Sequence, residues 1–334
     1  MKFDAVVGNP PYQLEGGSGG TNDSPIFQHF CNAAEAVESG FVSMIIPSKW
    51  FTAGRENLLG EFRRGMLRNP HLAKLVAFVN SRELFPSVEI KGGVCYYLIS
   101  RDRVGLCEYE LHEGGSVSSC KRDLSVFDIF IRNTKLSAIV EKVVAKAKTE
   151  GCGFVDSMIS SDTPFGIPTN PKDSKKTPFD VRDTKTEKYN VALHYLEKNH
   201  RVKGYVKSRD IKKNSEDVKF DKVFIPKAGG SGADPNVLGA PIVASKNSVC
   251  SQTYLYAKFP AKVQAENFVT YLQTRFLRVL VSAVKVTQDA LSRVYQFVPI
   301  QDFSEPWDDA KLYRKYGITK EEQKFIESMI KPMA

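Results

Sequence analysis

Phe3-Asp4-Ala5-Val6-Val7-Gly8-Asn9-Pro10-Pro11-Tyr12 opens the chain with a short apolar run followed by a proline-stiffened turn. The apolar run predicts a strand. In α/β sheets ligands bind outside the carboxyl ends of the strands, which is where Asn9, Pro10, Pro11 and Tyr12 would fall. As four letters alone they would be a proline-rich turn. The strand in front of them gives the turn its meaning.

Working outward, residues 16–23 are glycine-rich and predict a loop. Ser24-Pro25 predicts a helix start, with serine as the N-cap and proline at the first helical position. Ile26, Phe27, Phe30, Ala33, Ala34 and Val37 then recur at helical spacing as far as Gly40. A strand is predicted over 41–46, stopped by Pro47, then a charged helix over 55–68 and strands over 75–79 and 93–100. Strands alternating with helices imply a mostly parallel α/β sheet. Beyond Gly105 the rhythm becomes irregular. A helix is predicted over 139–148, polar loops over 163–187 and 207–222, and a strand over 249–256. One long helix is expected over 263–284, with Phe268, Leu272, Phe276, Leu280 and Val284 on one stripe. Thr319 and Glu322 form a capping box that opens a last helix.

The turn residues suit one kind of chemistry. The exocyclic amine of adenine is a poor nucleophile because its lone pair is delocalised into the ring. Two acceptors set against its N–H bonds favour a more tetrahedral nitrogen and stabilise the charge that builds as it attacks a methyl group. The side-chain oxygen of Asn9 and the carbonyl oxygen of Pro10 are candidates for those acceptors. Tyr12 offers a ring for an extruded base, a contact worth about 1–3 kcal/mol. The base must leave the duplex for its amine to be reached.

Composition bounds the rest. The 334 residues carry 42% hydrophobic and 25% charged side chains, ordinary for a globular protein with room for two domains. No apolar run is long enough to span a membrane, and the first residues lack the features of a secretion signal, so a cytoplasmic address is expected. The six cysteines form no C-x-x-C pair and lack histidines at ligand spacing, so no metal site is expected. The net charge is +9, and residues 172–227 hold 16 basic against 9 acidic side chains. A localised excess of that kind suits a polyanion.

The Asn-Pro-Pro-Tyr segment resembles the catalytic motif of amino-methyltransferases that use S-adenosylmethionine, and asparagine in first place resembles the adenine-N6 type. The likeness continues through Ile45-Ile46-Pro47-Ser48-Lys49-Trp50-Phe51 and Glu83-Leu84-Phe85-Pro86, and through the Gly92-Gly93 strand. Lys285-Val286-Thr287-Gln288, Tyr295 to Pro299, Trp307 and the stretch 312–317 resemble the end of Eco57I-like, gamma-type modification methylases of restriction–modification systems. The resemblance spans 1–105 and about 245–332.

It implies an α/β fold: a partial Rossmann-like methyltransferase sheet, a mixed α+β target-recognition domain and C-terminal helices. It implies domains over 1–105, 106–300 and 301–334. Asn9, Pro10, Pro11 and Tyr12 would be catalytic, and Tyr12 and Phe85 would stack on the target base. Lys203, Lys207, Arg209, Lys212 and Lys213, with Lys285 and Gln288, would contact DNA. The partners would be double-stranded DNA with a flipped adenine and an upstream methyltransferase half or subunit. That half is expected because the family's donor loop precedes Asn-Pro-Pro-Tyr, and only eight residues precede Asn9 here.

Two stretches imitate other functions. Residues 222–232 read as a strand and a glycine-rich loop, the mark of a permuted donor site. Pro235, Gly239 and Pro241 follow, however, where a helix should open. Glu89-Ile90-Lys91 is half of a nuclease signature, but no aspartate lies between Asp23 and Asp102 to complete it. Two other readings stay open: an RNA or protein amine methyltransferase, and a DNA-binding specificity module with no activity of its own.

Overall fold

The computed structural model describes residues 3–14, 24–52, 56–173, 179–198, 200–229, 234–285 and 287–333. The glycine-rich stretch 16–23 and residues 230–232 of the second loop lie outside them. The chain divides into compact units at 1–137 and 138–334. The first unit therefore runs past residue 105, where the expected domain boundary lay.

In the first unit the apolar run forms β1 (Ala5–Gly8). Beyond the Asn-Pro-Pro-Tyr turn, β2 (Gln13–Leu14) pairs antiparallel with β3 (Ser24–Pro25). Ser24-Pro25 thus builds a strand pair and not a helix start. Helix α1 (Phe27–Ala36) begins after Ile26, whose amide donates to the Tyr12 carbonyl at 3.2 Å. The backbone partner outweighs the local capping signal. β4 (Phe41–Pro47) follows, then a 3-10 turn over Ser48–Phe51 and α2 (Glu56–Arg68). Leu59, Phe62 and Met66, three and four residues apart, place one face of α2 in the core. There Phe27 and Trp50 meet the Phe62 ring edge-on, with centroids 5.8 and 5.7 Å away. β5 (Leu72–Phe78), β6 (Val94–Ser100), β7 (Cys107–Glu113) and β8 (Ser116–Arg122) complete the sheet.

The strand order is β1-β4-β6-β5-β7-β8. β1 pairs parallel with β4, and β5 with β7. β6 runs antiparallel to both its neighbours, and β8 is antiparallel to β7. The sheet is mixed and not mostly parallel, because a 15-residue loop after β5 turns β6 back between β4 and β5. The predicted α/β class stands. Helix α3 (Thr134–Thr149) contains the division between the units.

The second unit holds two small sheets. β9 (Val191–Glu197) lies between β10 (His200–Val206) and β13 (Ser248–Cys250). β11 (Asp221–Pro226) lies between β12 (Ile242–Ala244) and β14 (Tyr254–Phe259). The single strand expected over 249–256 is therefore β13, a turn and β14. The expected long helix is also two helices, α4 (Lys262–Gln273) and α5 (Arg275–Ser282). Thr274 separates them with extended backbone (φ −62°, ψ 146°), and its side chain caps α5 by accepting from the Leu277 amide at 3.1 Å. The stripe survives the break because both helices bury it. α6 (Asp309–Tyr316) and α7 (Lys320–Met329) close the chain, α7 with the expected capping box between Thr319 and Glu322.

Candidate active site at the end of the first strand

Asn9, Pro10, Pro11 and Tyr12 line a cavity of about 700 Å³ in the first unit, together with Phe27, Lys49 and residues 88–91. That volume is within the usual span for ligand sites. β1 delivers the turn and the β2–β3 pair fixes its far end. No hydrogen bond to the Asn9 side chain or to the Pro10 carbonyl forms among the described residues. Both acceptors are therefore free for a ligand.

Tyr12 is half-buried against the core, and its hydroxyl is buried without a hydrogen-bond partner. Burial, helped by the nearby Cys95 sulfur, pushes the Tyr12 phenol up to about 12. The phenol stays protonated at neutral pH, so Tyr12 contributes a ring and not a base. Burial likewise pushes the Cys95 thiol up to about 12, which makes it a poor nucleophile.

The opposite wall comes from the loop between β5 and β6. Ser81, 1% exposed, ties this loop together: its hydroxyl donates to the Val88 carbonyl at 3.1 Å and accepts from the Ile90 amide at 2.8 Å. Phe85 packs against a small cluster of Val76, Phe78 and Val94. The cavity wall is formed instead by residues 88–91 of the same loop. Glu89 is ion-paired with Arg82 at 2.9 Å, and the described residues hold no cluster of three or more His, Cys, Asp or Glu that could bind a metal ion.

The residues expected to contact DNA lie in the second unit and differ in availability. Lys203 on β10 is exposed, with its ammonium 5.7 Å from the Tyr205 ring centre. Lys207 is mostly buried and ion-paired with Asp180 at 2.9 Å. Arg209 and Lys212 are exposed, and Lys213 donates to Ser161 and to the carbonyls of Asp162 and Thr163. Lys285 is only 2% exposed, and burial holds its pKa below the usual lysine range. It is an interior residue and not a surface contact. Gln288 is exposed, and its carbonyl accepts from the Gly229 amide at 3.0 Å. A second concavity of about 380 Å³ in this unit is lined by Arg201 and Lys227, both within the basic stretch 172–227, and by Gln252 and Thr253, which the sequence had not singled out.

The sequence also missed Lys49 and Lys91 on the first cavity. Both stand in stretches quoted above, Lys49 in the one after β4 and Lys91 in the Glu-x-Lys imitation of a nuclease. The usable signal was their position beside strand ends.

An "uncharacterized adenine-specific methylase" of Mycoplasma pneumoniae (strain ATCC 29342 / M129 / Subtype 1) is 38% identical over 133 residues, 38% of this chain and 31% of the relative. Solved structures with some likeness include the type IIL restriction-modification enzyme MmeI in complex with DNA, with TM-score 0.43 and 9% identity over 87% of this chain and 45% of that one. They also include the type IIG restriction endonuclease BpuSI, with TM-score 0.34 and 12% identity over 86% of this chain and 42% of that one. The chain thus spans about a third of the curated relative and less than half of either structure. The family match is narrower than the resemblance read from the sequence: residues 1–85, which carry β1, the Asn-Pro-Pro-Tyr turn and the loop as far as Phe85, match the Eco57I restriction-modification methylase family.

Proposed function

We propose that this chain supplies the target-base pocket and the DNA-recognising part of an adenine-N6 DNA methyltransferase of a restriction–modification system. The observation that carries the proposal is the pair of free acceptors, Asn9 Oδ1 and the Pro10 carbonyl, on a cavity that also offers the Tyr12 ring. An adenine amine donates two N–H bonds, and two neighbouring acceptors on one pocket match that pattern. The Tyr12 ring, packed against the core and lining the cavity, supports a stacking role. Basic side chains of the second unit, Lys203, Arg209 and Lys212 first, would meet the phosphates of double-stranded DNA.

The methyl donor would be S-adenosylmethionine, which supplies an electrophilic methyl on a sulfonium. Among the described residues Glu89 is the single carboxylate lining the cavity, and Arg82 occupies it. The described cavity residues therefore fit the base and offer no free carboxylate for a ribose, so we assign the donor site to an upstream half or partner subunit. Asn9 and Pro10 would hold the amine with its lone pair directed out of the ring plane. They would also stabilise the positive charge on nitrogen until one proton leaves to water.

Calorimetric titration of S-adenosylmethionine, with and without the upstream half supplied separately, tests this. The expected result is no binding by this chain alone, and binding with N6-methyladenine formed in DNA when both are present. DNA binding with no methylation in any combination would instead favour a specificity module. Tight donor binding by this chain alone would overturn the assignment of the donor site.

A further inference from the structure

We infer that Lys49 and Lys91 form a phosphate clamp at the cavity, gripping the sugar–phosphate backbone on either side of the nucleotide whose base enters it. The inference rests on the functional reading above and extends it to the backbone of the substrate.

The first observation is electrostatic. Nearly every described basic side chain of the first unit is engaged. Arg63 and Arg64 pair with Glu56, Arg68 with Asp128, Lys74 with Glu110, Arg82 with Glu89 and Arg103 with Glu108. Arg101 and Arg132 donate to backbone carbonyls, Arg122 donates to a carbonyl and to Ser137, and Lys135 has a partner too. Among the described residues of this unit only Lys49, Lys91 and Lys121 are without one. Lys121 lies on β8, the sheet's other edge strand, whereas the other two both line the Asn9 cavity. Two unneutralised ammonium groups on one cavity are a standing attraction for an anion.

The second observation is mechanical. The turns that carry the lysines are bound to each other. The Ser48 amide donates to the Gly93 carbonyl at 3.0 Å, and the Gly93 amide donates to the Ile90 carbonyl at 2.9 Å. Gly93 has φ +81°, and a Cβ there would sit 2.1 Å from the Phe78 carbonyl oxygen, so the turn is fitted tightly against β5. Lys49 Cγ lies 3.9 Å from where a Gly92 Cβ would be, so the Lys49 stem runs over the turn that holds Lys91. From the other side the Arg132 guanidinium donates to the Gly92 carbonyl while stacking 5.1 Å from the Phe51 ring centre. The two cations therefore stand on one braced platform.

A base in the cavity leaves its 5′ and 3′ phosphates outside it, and phosphate contacts fix position without reading sequence. Extrusion costs the base its stacking on its neighbours. Two phosphate contacts beside the pocket hold the backbone in the extruded shape. Lys49 and Lys91 are thus positioning residues for the substrate, with no part in the chemistry at nitrogen.

The test is binding of deoxyadenosine, deoxyadenosine 3′,5′-bisphosphate and inorganic phosphate to the full chain, followed by amide chemical shifts. The bisphosphate is expected to bind about tenfold more tightly than the nucleoside, with an advantage that shrinks as salt is raised. In the Lys49→Ala/Lys91→Ala double variant that advantage, read as the ratio of bisphosphate to nucleoside affinity in the same variant, is expected to vanish; Lys49→Arg/Lys91→Arg should restore it. Both side chains are exposed, so a thermal melt matching the parent is expected. If the nucleoside shifts the Asn9 and Tyr12 amides but the phosphates add nothing, or the alanine variant keeps the advantage, the clamp is wrong and the functional reading survives. If the nucleoside itself leaves the Asn9 and Tyr12 amides unmoved, both fall.

Discussion

Asn9 carries the most specific claim, because its side chain has no structural duty. It is exposed, it makes no hydrogen bond among the described residues, and it lies beyond the end of β1. Asn9→Ala should leave stability within about 0.5 kcal/mol, as expected for a surface site. In the assembled enzyme it should lower methylation turnover by about 10²–10³, the usual effect of removing one preorganised polar group. Single-turnover kinetics with a matched thermal melt would check both. An equal fall in stability would make Asn9 structural.

His194 gives a second prediction at this scale. Burial first, and the Lys203 charge second, hold its imidazole down to about 4. The unfolded chain keeps the ordinary value of about 6.5. Between these values the unfolded state binds the extra proton, so stability is fully present above about 6.5 and is lost as pH falls toward about 4. The full shift corresponds to about 3 kcal/mol, and solvent reaching the half-buried ring reduces that to about 1–2 kcal/mol. His194→Gln should flatten the midpoint-versus-pH curve in this window, and an unchanged slope would refute the assignment. Among residues, the position of Asn9 to Tyr12 on a cavity beyond β1 was legible because sheets place ligand sites at strand ends. Lys49 and Lys285 were not. A lysine's role depends on which carboxylates and carbonyls the fold brings to it, so one was overlooked and the other was placed on a surface it does not reach.

At the scale of elements, periodicity disclosed where strands and helices lie and left their partners open. The stretch 93–100 reads as a strand from its apolar run, but nothing in it says that it returns antiparallel between β4 and β5. Ser24-Pro25 reads as a helix start from its own letters, and only the pairing with Gln13-Leu14 makes it a strand. The apolar stripe over 263–284 hides the break at Thr274, because a two-helix corner can keep the same residues inside. That corner is testable. Thr274→Ala removes the cap on α5 and should cost about 1 kcal/mol. Gly93 marks a stricter constraint. Alanine there meets both a left-handed backbone and the Phe78 carbonyl, and it should destabilise the first unit on the order of 3 kcal/mol. The chain's two tryptophans, Trp50 and Trp307, fall one in each unit. In a Trp307→Phe background, urea unfolding followed by Trp50 emission would report this loss, and an unchanged midpoint would mean that the turn can rebuild elsewhere.

For the whole molecule, the two edges of the six-stranded sheet differ in the way that matters for assembly. β8 reads Ser-Val-Ser-Ser-Cys-Lys-Arg, polar and charged, the composition that discourages strands from adding. β1 reads Ala-Val-Val-Gly, pairs among the described residues with β4 alone, and leaves Val7 79% exposed. Beside it Val6, Phe30, Val37 and Met44 line an apolar hollow of about 350 Å³. An uncharged edge strand next to an apolar hollow is an adhesive surface, and the proposed upstream half would cover it. The chain on its own is therefore expected to self-associate as concentration rises, and Val7→Lys should keep it monomeric by placing a charge on the open edge. Sedimentation velocity across a range of concentrations would read both. If the parent chain stays monomeric throughout, the β1 edge is not adhesive. If Val7→Lys abolishes self-association yet leaves binding of the upstream half intact, that half docks somewhere other than β1.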